Sequence, residues 1–156
     1  MQYIRYENCD NLEAVQKEII RLTEEGFLSQ EQALMVDCRK IAIFFKSDLG
    51  RKLCSGVPCL REFKFSILDD GGHYGEGLAG EQVLLQGVVD CALQEEDGIT
   101  IIDFKTDRVS PDTVKTVAER YRPQVETYAE ALHRIYEQPI KGKYLYFFRL
   151  DQLWEL

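Results

Sequence analysis

No stretch of this chain is apolar for long enough to span a membrane, and its opening "MQYIRYENCD" lacks the basic start and apolar middle of a secretory signal. Repeats, low-complexity tracts and a proline-rich linker are missing as well. A length of 156 residues then fits a single domain, long enough to bury a sizeable core. The cysteines lack the pattern of a framework. Cys9, Cys38, Cys54, Cys59 and Cys91 are odd in number and show no C-x-x-C spacing. They read as the reduced thiols of a cytosolic protein, with Cys54 and Cys59 the one pair placed to bond or share a metal. Positive charge is also in short supply, with 19 Lys and Arg against 27 Asp and Glu, a net −8 at pH 7. That excludes nonspecific duplex binding by the whole surface. It does not exclude an enzyme acting on nucleic acid, because a metal site needs carboxylates and a larger partner can supply the basic channel.

The hydrophobic pattern changes period along the chain. From Asn11, Leu12, Val15, Ile19 and Leu22 recur at three and four, which predicts a helix that stops at Gly26. Ser29 with Gln32 three positions on predicts a capping box and a second helix, with Leu34, Cys38, Ile41 and Phe45 as its buried stripe. "SDLGRKLCSG" reads as a turn. From Leu60 the period is two: Leu60, Glu62 and Lys64 alternate with Arg61, Phe63, Phe65 and Ile67, which predicts a strand with one apolar face. "DDGGHYGEGLAGE" reads as a loop. Ser110 and Pro111 predict the N-cap and first position of a long helix that reaches about Glu137, with a break or kink near Pro123. "KGKYLYFFRL" predicts a last strand. The order predicts an α/β or α+β domain, a sheet with helices packed on it.

The segment "GVVDCALQEEDGITIIDFKTD", residues 87–107, holds the candidate chemistry. Two apolar runs flank an acidic turn, and each places an aspartate, Asp90 or Asp103, where a core strand would favour valine. The turn predicts a hairpin. With Asp97-Gly98 as its loop, Asp90 faces Lys105; with Glu96-Asp97, Asp90 faces Asp103. Either register puts Asp90, Asp103 and Lys105 on one face and Val89, Cys91, Leu93, Ile102 and Phe104 on the other. Two carboxylates about 5 Å apart repel by roughly 3 kcal/mol at an effective dielectric near 20. Lys105 offsets part of this, and a divalent cation would offset more. Oxygen-only ligation of this kind suits Mg²⁺ or Mn²⁺, which can activate water and clamp a phosphate. The spacing alone is weak, since Glu62-Phe63-Lys64 shows acid-x-Lys too. A solvated Asp103–Lys105 pair that contributes little to stability is the competing explanation.

Taken in order, "GVVD", "IIDFKTD" and "YRPQVETYAEAL" match G-x-x-D, D-Y-K-T and Q-x-x-x-Y. This resembles the RecB-like branch of the PD-(D/E)xK nuclease superfamily. Within it the chain is most similar to the C-terminal nuclease domains of AddA (RexA)-type helicase–nuclease subunits. "EEGFLSQEQA", "FFKSDLGRKL" and "LREFKFSIL" extend the likeness over nearly the whole chain. The resemblance implies a restriction-endonuclease-like core, a mixed central sheet flanked by helices. It implies one nuclease domain over residues 1–156, with a helical part at 1–58 and the core at 59–156. It implies metal ligation by Asp90, Asp103 and the Phe104 backbone carbonyl, with Lys105 as the catalytic lysine. Phe104 stands where tyrosine is common, its ring toward the core. Gln124 and Tyr128, four apart and so on one helix face, would hold substrate or brace the site. Glu62 would reach the metal through water.

The implied activity is Mg²⁺-dependent (Mn²⁺ also possible) hydrolysis of DNA in double-strand-break repair and recombination. The implied partners are the helicase part of the same parent chain, which feeds unwound single strand, and a subunit of AddB type. The implied setting is the bacterial cytoplasm, with a nucleoid-associated function. The pattern departs at one point. The family's upstream metal-binding histidine, in a G-T-x-x-H-type segment, has no match here. His73 reads as a loop residue and His133 as helix surface. The expectation is therefore a piece of a longer chain, weak or inactive alone. The alternative is a nuclease-fold module kept for docking or DNA guidance. A stand-alone Cas4-like or phage-type exonuclease fits less well: no cysteine follows Cys91, so no iron–sulfur cluster is expected.

Overall fold

A computed structural model describes residues 1–156. After a 3-10 turn at Tyr6–Asn8, helix α1 spans Leu12–Glu24. The Asn11 side chain caps it by accepting from Ala14 N at 3.0 Å, and Val15, Ile19 and Leu22 are buried as the stripe requires. Ser29 and Gln32 form the expected capping box at the start of α2, Gln30–Met35. The second helix is not continuous, however. Val36 is extended, and Asp37 caps a new helix, α3 (Cys38–Phe45), accepting from Arg39 N at 3.1 Å and Lys40 N at 3.4 Å. A side-chain cap inside a helical pattern offers the backbone an alternative ladder, and here it wins. The predicted stripe is therefore split: Leu34 is 88% exposed while Phe45 is 1% exposed.

The segment read as a turn is a helix too, α4 (Asp48–Cys54), capped by Ser47 Oγ accepting from Gly50 N at 3.1 Å. Gly50 is required there: a Cβ would lie 2.2 Å from the Phe44 carbonyl oxygen. The structure uses this glycine for close approach of two helices' backbones rather than for a turn.

Five strands form one sheet in the order β1 (Cys59–Asp70), β2 (Gln82–Glu95), β3 (Gly98–Lys105), β4 (Ile140–Phe147), β5 (Gln152–Glu155). All neighbours are antiparallel except β3 and β4, which are parallel and joined by α5, Val114–Tyr136. The sheet is thus mixed, as predicted, with α1–α4 packed on one face and α5 on the other. Both faces are core: Cys91, Leu93, Ile102 and Tyr146 meet the N-terminal helices, and Ala92, Ile101, Leu145 and Phe147 meet α5. No helix is long and apolar enough to cross a membrane.

Three boundaries differ from the sequence reading. The long helix begins at Val114, because Ser110 and Thr113 first close a turn, with Ser110 N donating to Thr113 Oγ1 at 2.9 Å. It is not broken at Pro123, which lies exposed, so water can take the carbonyl that the missing N–H leaves. The last predicted strand stops at Phe147. The chain turns through Asp151, in the left-handed region at φ 52, and adds β5.

Asp69 fixes the glycine-rich loop to α5. Its carboxylate accepts from Arg134 Nη2 at 2.8 Å, Tyr74 OH at 2.8 Å and His73 Nδ1 at 3.3 Å. Arg134 first, then Tyr74, holds this carboxyl well below the usual carboxylate range. A depressed acid contributes stability above its unfolded value near 3.9 and loses it progressively as pH falls below that. Asp69→Asn should therefore lower the melting temperature at pH 7. The deficit should shrink as melts are repeated below about pH 4; a deficit independent of pH would contradict it.

Candidate active site

Glu95 pairs with Gly98, so Glu96 and Asp97 form the hairpin loop. Of the two registers open from sequence, this is the one that sets Asp90 opposite Asp103. The backbone ladder stops one position earlier, at Cys91 and Ile102. Beyond it the Asp90 carboxylate takes over the role of a backbone acceptor: its Oδ2 receives the Phe104 N–H at 2.9 Å. A strand residue's N–H and C=O point toward the same neighbour, so the Phe104 carbonyl is turned to the Asp90 side as well. The Phe104 ring points the other way, edge-on to Phe44 at 5.1 Å, as predicted.

The predicted separation of a charged face from an apolar face is wrong in its details. Val89 does not share a face with Cys91 and Leu93. It packs on the α5 side with Ala92 and Ile101. Strand β1 makes the same change of face at the same place. Leu60, Phe63, Phe65 and Ile67 all reach the α5 side, while Arg61 lies over the Tyr6 ring at 3.9 Å on the other. Between them Glu62 adopts φ 48, and the pairing skips from Arg61–Cys91 to Phe63–Val89. Glu62 therefore stands across from Asp90 in register, at a break in the pleat shared by both strands. Left-handed backbone at a residue other than glycine costs on the order of 1–2 kcal/mol. The sequence alternation runs smoothly through this point and gave no sign of it.

Asp103 and Lys105 lie on the α5 face, beyond Ile99 and Ile101. Asp103 is 2% exposed and Lys105 is 9% exposed. The Lys105 ammonium forms an ion pair with Asp103 Oδ2, and no other donor reaches that buried oxygen. Burial chiefly, with the Asp90 carboxylate adding to it and Lys105 opposing it, pushes the Asp103 pKa up to about 6. Lys105 Nζ also donates to Gln124 Oε1 at 3.3 Å, and Gln124 Nε2 donates to the Tyr128 hydroxyl. The two helix residues thus act as a brace behind the lysine.

Sequence reasoning missed a third brace. Tyr121 places its ring 3.7 Å from Lys105 Nζ and is itself fixed by donating its hydroxyl to Asp107 at 2.8 Å. Its position three residues before Gln124, on the same helical stripe, was the available signal. Of the histidines, His73 is half-fastened to Asp69 in an exposed loop, and His133 caps Gln138 O from the helix surface at 2.8 Å. Neither comes to the carboxylates. Nowhere do three or more His, Cys, Asp or Glu side chains gather so as to hold a metal ion, so Glu62 does not complete a cluster with Asp90 and Asp103.

A family model described as the PD-(D/E)XK nuclease superfamily matches residues 5–153. The chain belongs to the PD-(D/E)XK nuclease superfamily. Among curated relatives, the A subunit of the ATP-dependent helicase/nuclease of Bacillus mycoides is 37% identical over 95% of this chain, and that of a Bacillus cereus strain 36% over the same share. The match spans 13% of the length of those proteins. The solved structure of SSO0001 is 14% identical, with a TM-score of 0.45 over 97% of this chain and 63% of that one. The family assignment rests on the sequence matches.

Members of this superfamily generally use divalent metals. The present residues fit such an ion. The buried Asp103 Oδ2 has only Lys105 as a partner, Asp103 stands opposite a second carboxylate, and the Phe104 carbonyl is turned to the same side. All three are hard oxygen donors, the kind Mg²⁺ and Mn²⁺ take, with remaining positions left for water or phosphate.

Gly87, the glycine of "GVVD", keeps the brace in place. A Cβ there would lie 2.7 Å from the Phe65 ring and 3.3 Å from Tyr128 Cε1. Gly87→Ala should cost about 1–3 kcal/mol as overpacking. Adding Phe65→Leu to the same chain should recover part of the lost melting temperature, a coupling that a double-mutant cycle reads directly. Strict additivity would show that the two groups do not compete for space.

Proposed function

We propose that this chain is the DNase domain of an AddAB-type helicase–nuclease, hydrolysing phosphodiesters with Mg²⁺ in double-strand-break repair and recombination, Mn²⁺ serving as well. On this reading residues 1–156 form one nuclease unit, the helical part at 1–58 set on the core at 59–156. Its substrate is single-stranded DNA delivered by helicase motors, its partner is an AddB-type subunit, and it works in the bacterial cytoplasm at the nucleoid. The observation that supports it most is the buried Asp103 oxygen, opposite Asp90 and paired only with Lys105.

Asp90, Asp103 and the Phe104 carbonyl would hold the cation, and Glu62 would reach it through water. When bound, the cation supplies Lewis-acid polarisation of a phosphoryl oxygen and a lowered pKa for water. The chain's own residues do the rest. Asp90 keeps the Phe104 backbone in place through its other task, accepting that N–H. Lys105 presents a fixed positive charge where negative charge grows on the phosphate, and Gln124, Tyr128 and Tyr121 stop the ammonium from swinging away. Without a cation Asp103 tends to hold a proton and must release it to bind one, so apparent metal affinity should rise from pH 5 to pH 7.

The test is purified protein on single-stranded DNA with Mg²⁺, with Asp103→Ala prepared identically. Cleavage that needs Asp103 supports the reading, and cleavage that persists in Asp103→Ala refutes the site assignment.

A further inference from the structure

Cys59 and Cys91 bring their sulfurs to 3.4 Å across the β1–β2 ladder. Sequence proximity favoured Cys54 as the partner of Cys59, but the fold selects Cys91. Cys59 pairs with Leu93 and Cys91 with Arg61, so the two cysteines are diagonal neighbours on the face beneath the N-terminal helices. They differ in access. Cys91 is fully buried, whereas Cys59 is half-buried and opens the edge strand after the Ser55–Gly56 turn and two further residues. Gly56 takes φ 84 there. The thiol of Cys59 is held below its ordinary value by its hydrogen bond with Cys91, by the Ala92 backbone and by the Arg61 guanidinium. All five cysteines are free thiols.

We propose that Cys59 and Cys91 form a two-thiol modification site that a hydroperoxide converts into a cross-strand disulfide. The Cys59 sulfur attacks the terminal peroxide oxygen. The O–O bond breaks, an alcohol or water leaves, and Cys59 becomes a sulfenic acid. The Cys91 sulfur then attacks the Cys59 sulfur; the S–O bond breaks, and the hydroxyl leaves as water with the Cys91 proton. Two thiols lose two electrons and two protons, and the peroxide takes them up. A disulfide needs the sulfurs at about 2.05 Å, so they must close by roughly 1.4 Å. Cys59 can make that movement because it is the first residue of an edge strand with a turn before it. The bond would bridge the ladder next to Glu62 and Asp90, where the pleat breaks.

Peptide mapping of the whole chain tests this without reference to nuclease activity, so its failure would leave the nuclease reading untouched. The folded wild type is treated with hydrogen peroxide, its remaining thiols are alkylated, and it is digested and weighed. The expected product joins the peptide containing Cys59 to the peptide containing Cys91, two hydrogens lighter, and dithiothreitol separates them. The product should vanish in Cys59→Ser and persist in Cys54→Ser. Recovery of Cys59 and Cys91 as separate alkylated or over-oxidised peptides, or a link from Cys91 to Cys54, would overturn the proposal.

Discussion

Lys105→Ala should lower single-stranded DNA cleavage by about 10²–10³-fold, the usual loss when one fixed group that meets transition-state charge is removed. The same change should destabilise the protein in a pH-dependent way. Asp103 is 2% exposed, and its pKa of about 6 already includes the help of the lysine. Without that help an uncompensated carboxylate is left in the core, a defect that costs about 3–5 kcal/mol in comparable buried pairs. Protonation relieves it, so the loss should be largest near pH 8 and small near pH 5. Thermal melts of the metal-free variant at both pH values check this. A loss equal at both would mean that the lysine acts through packing alone.

Asp103→Asn should have opposite effects on stability and activity. In the wild type the folded state holds its proton up to about pH 6, whereas the unfolded chain releases it near 3.8. Between those values the folded state binds more protons, so stability falls as pH rises. A tenfold change in protonation equilibrium is worth about 1.4 kcal/mol, so the ionised carboxylate costs the metal-free fold about 3 kcal/mol above pH 6. Asparagine removes that charge and keeps the shape. The variant should melt higher than wild type near pH 8, match it near pH 4, and cleave no DNA. Saturating Mn²⁺ should close the gap by stabilising only the wild type, since the ion binds the folded site. A variant less stable than wild type at pH 8 would show that the pairing of Asp103 with Lys105 outweighs the cost of burying its charge.

The sequence made the site easier to read than its setting. Asp90, Asp103 and Lys105 were legible because charges inside apolar runs conflict with strand patterning, and Gln124 and Tyr128 only through the resemblance to Q-x-x-x-Y, whose spacing of four sets both on one helix face. The turn was legible only as two options, because a shift of one residue exchanges Asp103 for Lys105 as the neighbour of Asp90, and only the ladder decides. The break at Glu62 and Asp90 was invisible. Alternation predicts a continuous pleat, whereas both strands change face together, and that depends on tertiary packing rather than on either segment. The helices near residues 36–54 were misread for a local reason. Asp37 is a cap hidden inside a continuous apolar stripe, and Ser47 is a cap that in sequence looks like a turn residue.

The central claim is that Asp90 and Asp103, from neighbouring strands, share one divalent cation. Titration calorimetry of Mn²⁺ into the metal-free protein at neutral pH tests it most directly. One saturable site in the wild type, abolished in Asp90→Asn and in Asp103→Asn while both variants stay folded, is the predicted result. Undiminished binding in either folded variant, or no saturable site in the wild type, would contradict it.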